Sequence, residues 1–243
     1  LGGLMIFSKN KVLNTNEIIY PENQNFISQT GRPSDTMFGY VAEGLFTSQT
    51  EVDNHPIQTF GPYGVGSIAY KDLNDDGVID NLDRKAIGNS FPRTTFGVNV
   101  KLDYKRFSLF MLGTAELGLD NWLNNSYYWN NGEGKYSTAV RNRYHAVNNP
   151  QGSYPALTTT NGLNDFRNST FWIESGAFFR LKNVELSYTL PSSSIAKSYQ
   201  FHLRGTNLFV LSKNKDLDPE VINAGIGNYP IFRTITGGVT VNF

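Results

Sequence analysis

The densest chemistry in the chain lies in twelve residues, Asp72-Leu73-Asn74-Asp75-Asp76-Gly77-Val78-Ile79-Asp80-Asn81-Leu82-Asp83. Side-chain oxygens fall at Asp72, Asn74, Asp76, Asp80 and Asp83, which are positions 1, 3, 5, 9 and 12 of the loop. Gly77 stands at position 6, where a sharp turn needs a residue without Cβ, and Val78 offers a backbone carbonyl at position 7. Oxygen donors at this spacing suit a hard cation, so the pattern predicts a structural calcium ion held by Asp72, Asn74, Asp76, Val78, Asp80 and Asp83. Two departures keep a second reading open. Asp83 replaces the usual Glu with a shorter arm, and Gly66–Lys71 reads as extended where a helix is expected. In that second reading the same residues form an Asx turn that hydrogen-bonds its own backbone.

A second group, Trp122, Tyr127, Tyr128 and Trp129, sits amid Asn and Gly. Aromatic rings beside amides suit contact with a sugar substrate or a partner protein, and they equally suit packing a loop onto itself. Catalysis finds no foothold. His55, His145 and His202 are far apart, and no HExxH, GxSxG or P-loop is present. Glu116 and Asp120 carry no mark of a hydrolase pair. With no Cys, there is no thiolate nucleophile, disulfide or zinc–thiolate site. The expectation is a protein that is not an enzyme.

The elements that must position these groups are strands. Stretches at about 1–9, 93–104, 107–118, 178–190, 199–211 and 232–243 have strand length, and their connectors run to about 83, 2, 59, 8 and 20 residues. Alternation of long and short connections is what a hairpin sheet crossing a bilayer shows, with tight turns on one side and long loops on the other. Placing the last residue on the periplasmic side puts the turns at 105–106 and 191–198 there too. The loops at about 10–92, 119–177 and 212–231 are then extracellular. Side chains alternate in register with this assignment. Phe96, Val98, Val100, Leu102 and Tyr104 share one face of their strand, opposite Thr95, Gly97, Asn99, Lys101 and Asp103. Val184, Leu186, Tyr188 and Leu190 repeat the pattern, as do Ile235, Val239, Val241 and Phe243. The pattern blurs late in 199–211, is imperfect at Phe110 and Leu112, and is weakest in 1–9. Tyr104, Phe107, Tyr188, Tyr199 and Phe243 gather near the periplasmic ends, where an aromatic girdle belongs.

Composition agrees. Twenty-one basic and 21 acidic residues cancel, which removes the electrostatic case for nucleic acid. Aromatics reach 14% and charged residues only 17%, a balance that suits strands and turns. No run approaches the ~20 apolar residues of a transmembrane helix, which leaves barrel strands possible. Leu1–Phe7 opens inside an apolar stretch, so the chain reads as part of something longer. Six strands cannot close a membrane barrel by themselves.

Two blocks carry a resemblance: GSIAYKDLNDDGVIDNLDRKAIG at 66–88 and TFGVNVKLDYK at 95–105. They are similar to the SusC/RagA family of TonB-linked outer-membrane transporters of Bacteroidota, with Ser67 where that family usually has Asp. GYVAEGLF at 39–46, AFFRLKNVELSYTLP at 177–191 and RGTNLFVL at 204–211 resemble further family blocks in the same order. The resemblance implies an all-β fold: the C-terminal antiparallel strands of a barrel of about 22 strands. The plug domain and the segment that meets TonB would lie outside this chain. It also implies import of an oligosaccharide or peptide substrate, with a SusD-like lipoprotein closing over the extracellular loops. The final strand, through Val239, Val241 and Phe243, resembles the signal by which the barrel-assembly machinery recognises its clients. Two alternatives stay open: a soluble calcium-stabilised β domain that binds glycans, and a barrel fragment captured as a client of that machinery.

Overall fold

The computed structural model describes residues 1–133, 135–158, 162–191, 197–222, 227, 229 and 231–243. Most of the expected turn at 191–198, and the middle of the 212–231 connection, lie outside the described residues.

Six strands form a single antiparallel sheet: β1 (Gly2–Phe7), β2 (Thr94–Tyr104), β3 (Phe107–Leu117), β4 (Phe178–Pro191), β5 (Ser198–Ser212) and β6 (Thr234–Asn242). Their spatial order is their chain order, an up-and-down meander. The β2–β3 hairpin turns at Lys105–Arg106, with Lys105 at a φ of +56°. Register turns the sequence alternation into continuous rows, because directly paired residues share a face. One row reads Val100, Met111, Val184, Gly205 and Ile235; the next reads Leu102, Leu109, Leu186, Leu203 and Gly237. A third, Tyr104, Phe107, Tyr188, Phe201 and Val239, is the aromatic girdle, with the Phe107 and Tyr188 rings 4.7 Å apart. Phe201 joins the residues expected there.

The opposite face is polar. Lys101, Phe110, Glu185, Arg204 and Thr236 form one of its rows, with Arg204 ion-paired to Glu185 across the strands. Phe110 and Leu112 do lie on this side, opposite Lys101 and Asn99. The blurring of β5 has a local cause. The β4–β5 register shifts between Leu181 and Asn183, and Asn207 takes a φ of +51°, so the alternation changes phase there. Leu181 and Val184 therefore share a face although they are an odd number of residues apart. In β1, Met5 joins the apolar face, but Leu4 and Ile6 lie on the polar one, opposite Gly97 and Thr95.

The apolar face is uncovered. Leu102 is 57% exposed, Leu203 55% and Ile235 69%, so no second layer of described residues packs on it. That removes the support for a soluble β domain, which would have to bury this face.

The two longest connections fold together into one unit with its own core. Short ladders pair 36–39 with 85–89, 42–45 with 68–70, 57–58 with 78–79 and 120–122 with 173–175. Between them pack Tyr40, Phe60, Ile68, Tyr70, Ile79, Tyr128, Val140, Tyr154 and Trp172, joined by Ile222 of the third connection. A buried polar network ties the two loops together. Gln58 Nε2 donates to Asn164 Oδ1 at 2.8 Å, Ile68 N to Asp165 Oδ1 at 2.8 Å, and Tyr70 Oη to the Asn164 carbonyl at 2.9 Å. On β4, buried Arg180 ion-pairs with Asp218 and Glu220, and Lys182 with Glu220, strapping the third connection to the polar face of the sheet.

Candidate functional site

The 72–83 turn is held by its own backbone. Asp72 Oδ2 accepts from Gly77 N at 2.7 Å and its Oδ1 from Asp75 N at 2.8 Å. Asn74 accepts from Asp76 N, and Asp76 from Val78 N. Asp80 caps the short 3-10 turn 81–83 by accepting from Leu82 N, while Asp83 returns to Asp80 N at 2.9 Å and Leu73 N at 2.7 Å. Gly77, at a φ of +84°, supplies the left-handed step. Asp83 is fully buried, and burial pushes its carboxyl pKa up against the lowering effect of these backbone donors. Among the described residues, no three acidic or imidazole side chains converge as a cation's shell requires. The arrangement thus fits the Asx-turn reading. These bonds leave the six-donor calcium shell at Asp72, Asn74, Asp76, Val78, Asp80 and Asp83 a proposal still to be tested, since a carboxylate oxygen that accepts one N–H keeps a lone pair for a cation. What the turn does position is clear: Ile79 enters the core at 0% exposure, and Asn81 and Arg84 emerge on the far side.

Those two residues line a cleft of about 490 Å³ at the seam of the two loops. Tyr40, Asn81 and Arg84 come from the first loop; Asn124, Trp129, Phe166, Arg167 and Asn168 come from the second. Backbone bonds close the seam: Tyr40 N donates to the Asn168 carbonyl at 3.0 Å, and Thr170 N to the Tyr40 carbonyl at 2.9 Å. The Tyr40 hydroxyl donates to Asn81 Oδ1 at 3.2 Å, and Asn124 Nδ2 to Asn168 Oδ1 at 3.1 Å. Arg167 is braced by Nε donating to the Leu163 carbonyl at 2.9 Å and by its guanidinium lying 4.9 Å from the centre of the Phe60 ring. Arg84 is exposed and makes no hydrogen bond or ion pair among the described residues. The cleft therefore has an aromatic body, an amide rim and two cations, with no carboxylate in its lining. Nothing in the sequence links residue 84 to 167, and only the fold brings them together.

The four aromatics picked out by sequence separate. Tyr128 is a core residue, its hydroxyl accepting from Asn214 Nδ2 at 2.7 Å and its pKa pushed up to about 12 by burial. Its ring is closed to a sugar or partner. Trp122 and Tyr127 are half-buried, with the Tyr127 hydroxyl 2.7 Å from that of Thr138. Trp129 alone of the four lines the cleft, packed on Phe166 at 5.6 Å. Val239 and Val241 lie on the apolar face of β6, opposite Phe201 and Tyr199, and Phe243 follows them, exposed.

Comparison with known proteins decides the family. No family model matches the sequence. TonB-dependent receptor P26 of Formosa agariphila is 33% identical over 218 residues, covering 82% of this chain and 22% of that protein. TonB-dependent receptor SusC of Bacteroides thetaiotaomicron is 26% identical over 215 residues, covering 84% of this chain and 20% of that protein. The fold agrees: the RagAB peptide importer in its open-open state superposes with a TM-score of 0.69 at 16% identity, over 99% of this chain and 26% of that one. The chain belongs to the SusC/RagA-type TonB-dependent receptors. It spans about a fifth of the length of the curated relatives it matches. The receptors of this family reside in the outer membrane of Bacteroidota, and the six-stranded sheet is a stretch of transmembrane barrel wall whose apolar face meets lipid.

Proposed function

We propose that this chain supplies wall strands and a folded extracellular cap to an importer of oligosaccharides or peptides. Energy would come through TonB, by way of a part of the receptor outside this chain. A SusD-like surface lipoprotein would close over the loop unit, and the barrel-assembly machinery would read Val239, Val241 and Phe243 on the last strand. The relatives support this: one is the TonB-dependent receptor SusC, and another is described as a peptide transporter. The observation that carries the reading is the pair of faces on one sheet. Exposed Leu102, Leu203 and Ile235 suit hydrocarbon, while Lys101, Glu185 and Arg204 behind them suit a watery passage. Uptake of labelled oligosaccharides and peptides by cells with and without the full-length receptor tests it. Loss of uptake of at least one class on deletion is expected; undiminished uptake of every class contradicts the proposal.

A further inference from the structure

We infer that the seam cleft binds an acidic oligosaccharide, with the sugar's carboxylate or sulfate held between Arg84 and Arg167. The inference rests on the import reading and names a substrate class for it. Three observations lead there.

The first is charge. Two guanidinium groups line one cleft with no carboxylate among its lining residues. The nearby carboxylates of Asp80 and Asp83 act on Tyr40 from outside the lining, and the acidic groups adjacent in sequence spend their oxygens on backbone N–H groups. Asp80 accepts from Leu82 N, Asp83 from Leu73 N and Asp80 N, and Asp165 from Ile68 N. Arg84 is left without a partner among the described residues, and Arg167 commits Nε and one Nη2 contact to carbonyls, leaving donors to spare. A guanidinium presents a planar fork that matches a carboxylate or sulfate edge.

The second is how firmly one of the groups is set. Arg167 is braced by the Leu163 carbonyl and the Phe60 ring, while Arg84 extends, exposed, from backbone fixed by the self-capped turn. A cation fixed before binding loses less freedom on capture.

The third is the rest of the lining. Asn81, Asn124 and Asn168 offer amide donors and acceptors beside Tyr40, Trp129 and Phe166, a combination that suits hydroxylated rings. A peptide would be gripped mainly through main-chain pairing with a free strand edge, and no lining residue of this cleft belongs to a strand.

The test is equilibrium binding to the purified full-length receptor in detergent. The probes are trigalacturonic acid, a sulfated carrageenan oligosaccharide, neutral maltotriose and tri-glutamate. Trigalacturonic acid or the sulfated sugar should bind about tenfold more tightly than maltotriose, the worth of one charge-assisted contact, and the gap should narrow as salt rises. Which of the two acidic sugars leads identifies the oxyanion. Arg84→Ala should erase most of that preference with thermal stability unchanged, because Arg84 supports no other group. Arg84→Lys should restore part of it. Equal affinity for acidic and neutral sugars, an acidic preference untouched by Arg84→Ala, or tighter binding of tri-glutamate would each overturn the inference. Cells that still import a neutral sugar or a peptide under those outcomes would leave the import reading standing, which separates the two failures.

Discussion

Leu102, Leu203 and Ile235 on the sheet and Ile68, Tyr70 and Trp172 in the loop unit are large apolar side chains with opposite fates. The first three are more than half exposed; the second three are 3% exposed or less. A sheet that must face hydrocarbon keeps its apolar side outward and relies on its ladder of backbone bonds, since lipid cannot satisfy a free N–H or C=O. A loop unit that must face water has to bury its apolar side chains, and it does so by pooling residues from separate connections. The contrast shows that one chain is built for two solvents, with the boundary near the upper ends of β2, β3 and β4.

That contrast can be broken from either side. Trp172→Ala should have the largest effect. It empties the centre of the aromatic cluster and removes the indole N–H bond to the Asp165 carbonyl at 2.6 Å. A cost of about 3–5 kcal/mol is expected, confined to the loop unit. Hydrogen exchange should rise across 36–90 and 119–177 while the sheet strands stay protected. Next comes Leu203→Arg on the lipid face, expected to cost about 2–4 kcal/mol in vesicles, against almost nothing for Thr236→Arg on the polar face. Equal costs at the two positions would contradict the assignment of faces.

Asp165 offers a smaller, pH-dependent effect. Burial raises its pKa to about 6, despite its bonds from Ile68 N and Asn164 Nδ2. With the folded value above the unfolded one, its contribution to stability is complete below about pH 4 and is lost as pH rises through 6. Asp165→Asn keeps the acceptor oxygen, so the variant should melt several degrees above the parent at pH 7.5 and match it near pH 4. A gap of the same size at both pH values would remove Asp165 as the titrating group. The smallest effect should come from calcium. A small upward shift in the melting of the loop unit with millimolar calcium, reversed by a chelator, is expected if the 72–83 turn holds an ion; unshifted melting would leave the self-bonded Asx turn as its whole role.

Much of the wall was legible in sequence because its period is two and its strands are long. Phe96 to Tyr104 in β2 and Val184 to Leu190 in β4 announce their faces without help from the rest of the chain. The loop unit was not legible, because its ladders are only two to five residues long and its pairings span great distances, as between Tyr70 and Asn164. Tyr128 illustrates the problem: amid Asn and Gly it reads equally as a contact for a sugar or partner and as loop packing, and only its burial and its bond from Asn214 decide for packing. Asp83 shows the same limit. Its place in a calcium-like spacing is legible, while its burial and the N–H groups of Leu73 and Asp80 that it accepts are not. The cleft cations were missed because 84 and 167 acquire meaning only when the two loops pack together.

The central claim is that the two faces of the sheet meet different solvents, and alternate-site spin labelling measures this directly. This chain has no cysteine of its own, so single cysteines at 100, 101, 102, 203, 204 and 205 can each carry a label in vesicle-embedded receptor whose remaining part has been freed of cysteine. Collisions with oxygen should dominate at 100, 102, 203 and 205, and collisions with a water-soluble nickel chelate at 101 and 204. Labels that show no alternation, or meet the chelate equally at every site, would contradict the account.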